Sequence, residues 1–301
     1  MNLRLWLPLL ALLALSGAEP ARAQASARAP ARSAAPLHAL WELHGKHNTV
    51  YLLGAVHVLR SSDYPLPAVI EEAYRAARTL TLEVDLDGAG SDLEAEMLAS
   101  ATLHDGQTLP QVLGAERYAR AEGLARSIGL DLAPFESFAP WFAAEAIAQV
   151  QLQQLGFEPQ SGIDLYFLGQ AHRDGKRIDG LETVHDQIAV FESLPLDAQA
   201  SYLLTSLEEA HDLPQEVEGM VRAWRVGDTA WFEREMTSEL GKDPVLYQSL
   251  LVARNRRWIS HIEALLADGE NHLVIVGTAH LVGRDSVLTL LAKDGFSAVQ
   301  R

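Results

Sequence analysis

The sequence contains no cysteine, and this absence excludes several kinds of chemistry at once. A chain without thiols forms no disulfide bonds, offers no cysteine nucleophile and supplies no thiolate ligand to a metal ion. Any metal site in it has to use histidine, aspartate or glutamate side chains. Stability has to come from a packed core, and 301 residues, of which 48% are hydrophobic, suffice for one large core or two modest ones.

Four widespread catalytic and nucleotide-binding motifs are missing as well. The chain has no G-x-S-x-G nucleophile elbow, no P-loop, no G-x-G-x-x-G dinucleotide fingerprint and no H-E-x-x-H zinc helix. The sequence therefore gives no support to a serine-hydrolase, nucleotide-binding or zincin function.

Positive charge is scarce. Lys and Arg number 24 against 40 Asp and Glu, which gives a formal net charge of −16. So acidic a surface repels phosphate backbones and anionic lipid headgroups. We therefore expect neither nucleic acid nor a membrane surface as a partner.

Long apolar runs are scarce too. Residues 5–15 form an apolar run that is too short to span a bilayer, which takes roughly 20 residues. The run follows Arg4 and precedes an A-x-A site at residues 21–23. This arrangement predicts a signal peptide over residues 1–23, with cleavage after Ala23, and a periplasmic or secreted protein without stable membrane insertion. We interpret residues 24–37, which are rich in Ala, Pro, Ser and Arg, as a flexible linker.

Two apolar runs end in the same short motif. Residues 50–56 read as a buried strand that contains Gly54 and leads into His57, and residues 272–280 repeat the spacing with Gly277 and His280. One G-x-x-H is a weak signal. Two of them, each at the end of a predicted strand, indicate that two strand ends bring two imidazoles to one crevice, because open α/β sheets bind ligands at the carboxyl ends of their strands.

The predicted strands lie near both ends of the chain, and helical sequence fills residues 90–240. This pattern predicts one α/β domain over residues 38–301, with a mixed, largely parallel sheet built from the N- and C-terminal segments and a large helical insertion. The strands that we expect in one sheet are at 50–56, 80–84, 176–180 and 272–277, and we expect one long helix from about residue 243 to 267.

Three carboxylates also end predicted strands: Glu83, Asp85 and Glu182. Two imidazoles with one or two carboxylates form a common ligand set for Zn, Mn, Co or Fe in catalytic sites. The same residues are also compatible with purely structural roles, because a histidine at a strand end often only bonds a loop carbonyl. The basic run at 254–257 is either a solvated helix face or, in so acidic a protein, a binding site for a carboxylate or an oxyanion.

With these motifs the chain resembles the TraB/GumN family, whose relatives include the Tiki metalloproteases. The similarity extends over about residues 38–301, and its most specific part is the pair of G-x-x-H motifs with an intervening E-V-D. The matching stretches are YLLGAVHVL (51–59), LTLEVDL (80–86), SGID (161–164), GLET with Gln187 (180–187), ARNRRW (253–258) and VGTAHLVG (276–283).

The resemblance implies an α/β core related to erythromycin-esterase-like and ChaN-like proteins. For relatives of the Tiki type it implies a peptidase that depends on a divalent metal and uses His57, His280 and Glu83. It implies that Gly54 and Gly277 shape the site. Two further positions match a family-typical pair, Arg254 and Asn255.

Three functions remain open from the sequence. The first is a metal-dependent hydrolase for a peptide or protein substrate. Mn, Co or Zn would be held by the two histidines with Glu83 and Glu182, and Glu83 is either a ligand or the general base. Arg254 would steady the oxyanion or a substrate carboxylate. The second is a metal-free hydrolase of the erythromycin-esterase type with His57 as general base. The third is a protein that binds haem or metal without turnover.

Overall fold

The computed structural model describes residues 36–85, 93–239 and 244–301. The predicted signal peptide and nearly all of the predicted linker lie outside these ranges, so both stay predictions. In the part of the chain that the model describes, no helix is long and apolar enough to cross a membrane.

A six-stranded mixed sheet forms the centre of an α/β fold, as the sequence predicted. The strand order is β4-β3-β5-β2-β1-β6. The four strands that were expected in one sheet are neighbours in it, and they pair in parallel. The strands are β1 (Leu40–His44), β2 (Thr49–Ala55), β3 (Thr79–Val84), β4 (Arg177–Glu182), β5 (His272–Gly277) and β6 (Ala298–Gln300).

Helices account for most of the chain between these strands. The first is α1 (Ala68–Ala76), which connects β2 to β3. Between β3 and β4 lie α2 (Leu93–Ala101), α3 (Leu109–Leu113), α4 (Ala115–Ser127), α5 (Pro140–Gln154) and α6 (Ile163–Asp174). Between β4 and β5 lie α7 (Val184–Glu192), α8 (Leu196–Glu208), α9 (Leu213–Arg225), α10 (Thr229–Glu239), α11 (Pro244–Tyr247) and α12 (Ala253–Ala267). Before β6 comes α13 (Val287–Lys293).

Strand β5 lies in the middle of the sheet, where it pairs with β3 on one side and β2 on the other. Each of its six residues is buried, and so is every residue of β3. Continuous apolar burial of this kind is typical of parallel strands that are covered by helices on both sides. Strand β5 therefore separates β2 from β3 and brings the segment after Gly277 between the segments that follow those two strands.

One element differs in kind from the prediction. The sequence predicted a single long helix from about residue 243 to 267, but a π-helical turn, Gln248–Val252, separates α11 from α12. A π-turn adds one residue to a helical turn and rotates everything after it, and such turns are frequent at functional sites. Here the turn immediately precedes the first residues of α12, which include Arg254.

Candidate functional site

The carboxyl ends of β2, β3 and β5 bring three predicted site residues, His57, Glu83 and His280, around the backbone of Gly277. A methyl group built on Gly277 would lie 3.0 Å from His57 Nε2, 3.2 Å from Glu83 Oε1 and 3.6 Å from His280 Cδ2. The two imidazoles and the carboxylate therefore converge on one point, which a side chain at residue 277 would fill. Glu83 also accepts a hydrogen bond from the Gly277 backbone N–H.

His57 lies just beyond β2, and Asp164 fixes its ring. The Nδ1 atom is 2.7 Å from Asp164 Oδ2, at the start of α6. Because a carboxylate accepts, Nδ1 carries the proton, and Nε2 of the neutral ring keeps a lone pair. That Nε2 atom is buried and has no hydrogen-bond partner among the described residues.

Asn255 orients the second imidazole, on His280. The Asn255 amide nitrogen donates to the Asp285 carbonyl at 2.8 Å, so its Oδ1 atom faces His280 Nδ1 at 2.6 Å. The proton of His280 therefore lies on Nδ1. The lone pair on Nε2 accepts from Arg254 Nη1 at 3.2 Å.

Arg254 is buried, and each of its five N–H donors faces an acceptor of the protein. Its Nε atom donates to Glu182 Oε1 at 2.9 Å, and Nη2 donates to both Glu182 and Glu83, the latter at 2.7 Å. The two Nη1 hydrogens face the Leu250 carbonyl and His280 Nε2, both at 3.2 Å. In this arrangement Arg254 has no N–H left for an oxyanion, although the sequence suggested that role.

Glu182, a predicted metal ligand, uses both carboxylate oxygens to hold Arg254 in place. Its Oε1 and Oε2 atoms accept from Arg254 Nε, and Oε2 also lies 3.3 Å from Trp258 Nε1 and 3.4 Å from Arg257 Nη2. The third candidate carboxylate, Asp85, follows β3, and its backbone N–H donates to the Glu182 carbonyl.

Burial and mutual contact set the charges of the two central groups. Burial alone would raise the pKa of Glu83, but the guanidinium of Arg254, the two histidines and the Gly277 N–H lower it to about 2. Burial lowers the pKa of His280 to about 3, because Arg254 and His57 offset the attraction of Glu83. At neutral pH, Glu83 is therefore an anion and His280 is neutral.

The pKa of His57 shifts in the opposite direction. Burial lowers it, but attraction to Asp164, the hydrogen bond to the same carboxylate and the charge of Glu83 together raise the pKa above its ordinary value of 6.5. The surroundings of His57 therefore favour its protonated form, which is the form that a general base adopts once it has taken up a proton.

Gly54 permits close packing at the same edge of the sheet. A methyl group on Gly54 would lie 2.8 Å from Thr278 Oγ1 and 3.2 Å from Thr278 Cα, so the glycine lets the turn after β5 pack directly against β2. The Gly54 carbonyl accepts a 2.6 Å bond from Trp224 Nε1, which ties helix α9 to the strand that leads to His57.

A divalent metal does not fit these side chains as they are arranged. Within the described ranges, no group of three His, Asp or Glu side chains is placed to hold a metal ion. The cation of Arg254 gives the physical reason, because it contacts His280 Nε2 and the Glu83 carboxylate, which the expected site needs beside His57. A second cation at the same atoms would be repelled unless Arg254 moved away.

Two residues at the site received no role from the sequence. Asp164 orients His57, and Gln187 Nε2 lies 3.3 Å from Glu83 Oε2. Both belong to stretches that match the family, SGID and GLET with Gln187. This match was the one sign in the sequence that the two residues belong to the site. Their roles were not predictable, because each depends on a contact with a residue more than 100 positions away in the chain.

Replacing Arg254 by Met should destabilise the fold strongly, because it leaves Glu83 and Glu182 buried without their cation. We expect the free energy of unfolding in urea to fall by about 3–5 kcal/mol. The matched control is Arg257→Met, which removes a half-exposed guanidinium from the same Glu182 and should cost less than about 1 kcal/mol. Equal effects of the two substitutions would contradict the central role of Arg254.

Comparison with known proteins places the chain in a family. The model of the TraB/PrgY/gumN family matches residues 39–300. The chain is 23% identical over 241 residues to the uncharacterized protein YbaP of Escherichia coli (strain K12) and to the protein of the same name from Shigella flexneri, and each match covers 80% of this chain and 87% of the relative. No solved structure is significantly similar to it. The match extends through both G-x-x-H motifs and the strand that carries Glu83, and the chain thus belongs to the TraB/PrgY/gumN family, as its motifs predicted.

Proposed function

We propose that this protein is a hydrolase in which His57 acts as the general base. One observation carries the proposal: the buried Nε2 atom of His57 has no partner among the described residues, while Asp164 holds Nδ1 at 2.7 Å. A buried polar atom without a partner is costly, and such sites are frequently functional. The Asp–His pair fixes the tautomer and leaves Nε2 free to take a proton.

The reaction that suits this pair is the addition of water to a carbonyl group. His57 Nε2 removes a proton from the water molecule while the water oxygen forms a bond to the carbonyl carbon. The protonated ring then delivers that proton to the leaving group as its bond to the carbonyl carbon breaks. The hydroxyl remains on the acyl product, and Asp164 stabilises the positive ring between the two steps.

The other side chains around His57 hold charges and dipoles in fixed positions. Glu83 accepts from Gly277, Arg254 and Gln187, and its negative charge favours the protonated form of His57. His280 stays neutral, and its Nε2 atom accepts a hydrogen bond from Arg254 Nη1. Because these groups are buried, their interactions with a developing charge are stronger than they would be in water.

We propose a peptide or protein as the substrate. The support is the likeness to the Tiki metalloproteases in the stretches around His57 and His280. The acidic composition of the chain, with its net charge of −16, points away from nucleic acid.

We also propose that the protein is exported to a periplasm or to the medium. The support is the basic residue, apolar run and A-x-A site of residues 1–23. Expressed in a Gram-negative host, the protein should appear in the periplasmic fraction, and N-terminal sequencing should read from Gln24. Full-length protein in the cytoplasmic fraction would contradict the proposal.

A metal-dependent form of the same hydrolysis is the second candidate. Both imidazoles use Nδ1 to contact an oxygen acceptor, as histidines that bind metals through Nε2 commonly do. The site also contains three carboxylates, Glu83, Glu182 and Asp164, against the one buried guanidinium among them. This excess of negative charge favours a cation. Once Arg254 had moved, the two histidines and Glu83, with Glu182 beside them, would hold Mn, Co or Zn, and the ion would act as a Lewis acid.

Hydrolysis of a peptide library in the presence and absence of a chelator separates the two candidates. We expect turnover to persist in the chelator and to fall by about 10²–10⁴-fold in His57→Gln, because the general base is lost. The control is His261→Gln, which removes a half-exposed histidine paired with Asp179 and should keep full activity. Loss of activity in the chelator and its return with Mn, Co or Zn would establish the metal-dependent form instead.

The pH dependence tests the Asp–His pair. Only neutral His57 accepts a proton, so kcat/KM should rise with pH through an inflection above 6.5. Asp164→Asn removes the attraction that raises the pKa of His57 and leaves burial, which lowers it, so the inflection should move to lower pH while kcat/KM drops at least about tenfold.

The chain contains a matched control for this variant. His272 is buried and lies 2.8 Å from Asp268, at the opposite end of the same sheet. Asp268→Asn should therefore leave the inflection of the pH profile where it is in the wild type. An inflection that also stays in place in Asp164→Asn would contradict the role of Asp164.

A further inference from the structure

A second unpartnered atom lies beside Glu83, on Gln187. This glutamine is on α7 and is 4% exposed. Its Nε2 atom lies 3.3 Å from Glu83 Oε2, and its Oε1 atom is buried with no partner among the described residues. The site thus holds two orphaned buried atoms, Gln187 Oε1 and His57 Nε2, and Glu83 lies beside both.

The orientation of the Gln187 amide follows from the charge of Glu83. The same Glu83 oxygen accepts from Arg254 Nη2, and the other oxygen accepts from the Gly277 N–H, so the carboxylate acts only as an acceptor. Gln187 must therefore turn its nitrogen toward Glu83, and the oxygen is left as a free acceptor. Among the described residues, no N–H or O–H group donates to this oxygen.

A bound water molecule can satisfy such an atom, so a buried oxygen without a protein partner indicates a ligand only where it lies at the site. Gln199 provides the comparison. Gln199, on α8, is also 4% exposed, and its Oε1 also has no partner among the described residues, but its Nε2 donates to the carbonyls of Phe191 and Leu194. These are backbone contacts within one helix–loop connection. Gln187 instead contacts Glu83. The carboxylate of Glu83 lies beside Gly277, where His57 and His280 also converge.

We propose that Gln187 Oε1 accepts a hydrogen bond from the N–H of the scissile amide and makes the enzyme prefer amides to esters. The inference rests on the proposed hydrolase function. An amide brings the donor that the buried oxygen lacks. An ester has an oxygen at that position and leaves Oε1 unpaired, and sites built to bond a substrate N–H discriminate strongly against analogues without it.

The test uses peptides and matched depsipeptides in which the scissile N–H is replaced by oxygen. Esters are intrinsically more reactive, so the informative quantity is the change in the ratio of kcat/KM, peptide over depsipeptide, between wild type and Gln187→Met. The variant also loses the bond to Glu83, but that loss affects both substrates. We expect the ratio to fall at least about tenfold, because only the peptide loses a hydrogen bond.

Gln199→Met is the matched control, since it removes a glutamine of the same burial and should leave the ratio unchanged. Melting temperatures of both variants report on the fold. An equal loss for peptide and depsipeptide in Gln187→Met would overturn the inference and leave Gln187 as a positioning residue for Glu83, with Oε1 bound to water. Failure of the wild type to cleave either substrate would instead overturn the proposed hydrolase function itself.

Discussion

The site depends on the ion pairs between the buried guanidinium of Arg254 and two carboxylates. A cation removed from water is tolerated only when its charge and its hydrogen bonds are matched, and Arg254 meets both requirements with Glu83 and Glu182. The same contacts keep Glu83 an anion, and burial, with Arg254 nearby, leaves His280 neutral. One side chain on α12 thereby influences the protonation of Glu83 on β3 and of His280 in the turn after β5.

The topology of the sheet makes this arrangement possible. Because β5 enters between β2 and β3, the segment after Gly277 lies between the segment that carries His57 and the strand that carries Glu83. The absence of a side chain at Gly277 then lets these groups approach its backbone. Parallel strands end at the same edge, so three segments that are distant in sequence contribute to one small volume.

Sequence reasoning found the parts of the site that depend on local pattern. Apolar runs gave the strands, and the position of His57, Glu83 and His280 at strand ends was enough to place them at one edge of the sheet. The roles of Asp164 and Gln187 were not accessible, because each is defined by a partner far away in the chain. The π-turn before α12 leaves no periodic signature in a window dominated by helical residues, so the helix was predicted as continuous.

In the proposed mechanism, neutral His57 keeps its proton on Nδ1 and offers an unprotonated Nε2 to the reacting water. Imidazole ¹⁵N NMR of histidine-labelled protein, recorded above the pKa of His57 and assigned by comparison with His57→Gln, reads this tautomer directly. We expect a protonated Nδ1, hydrogen-bonded to Asp164, and an unprotonated Nε2. A proton found on Nε2 would leave no lone pair facing the site and would contradict His57 as the general base.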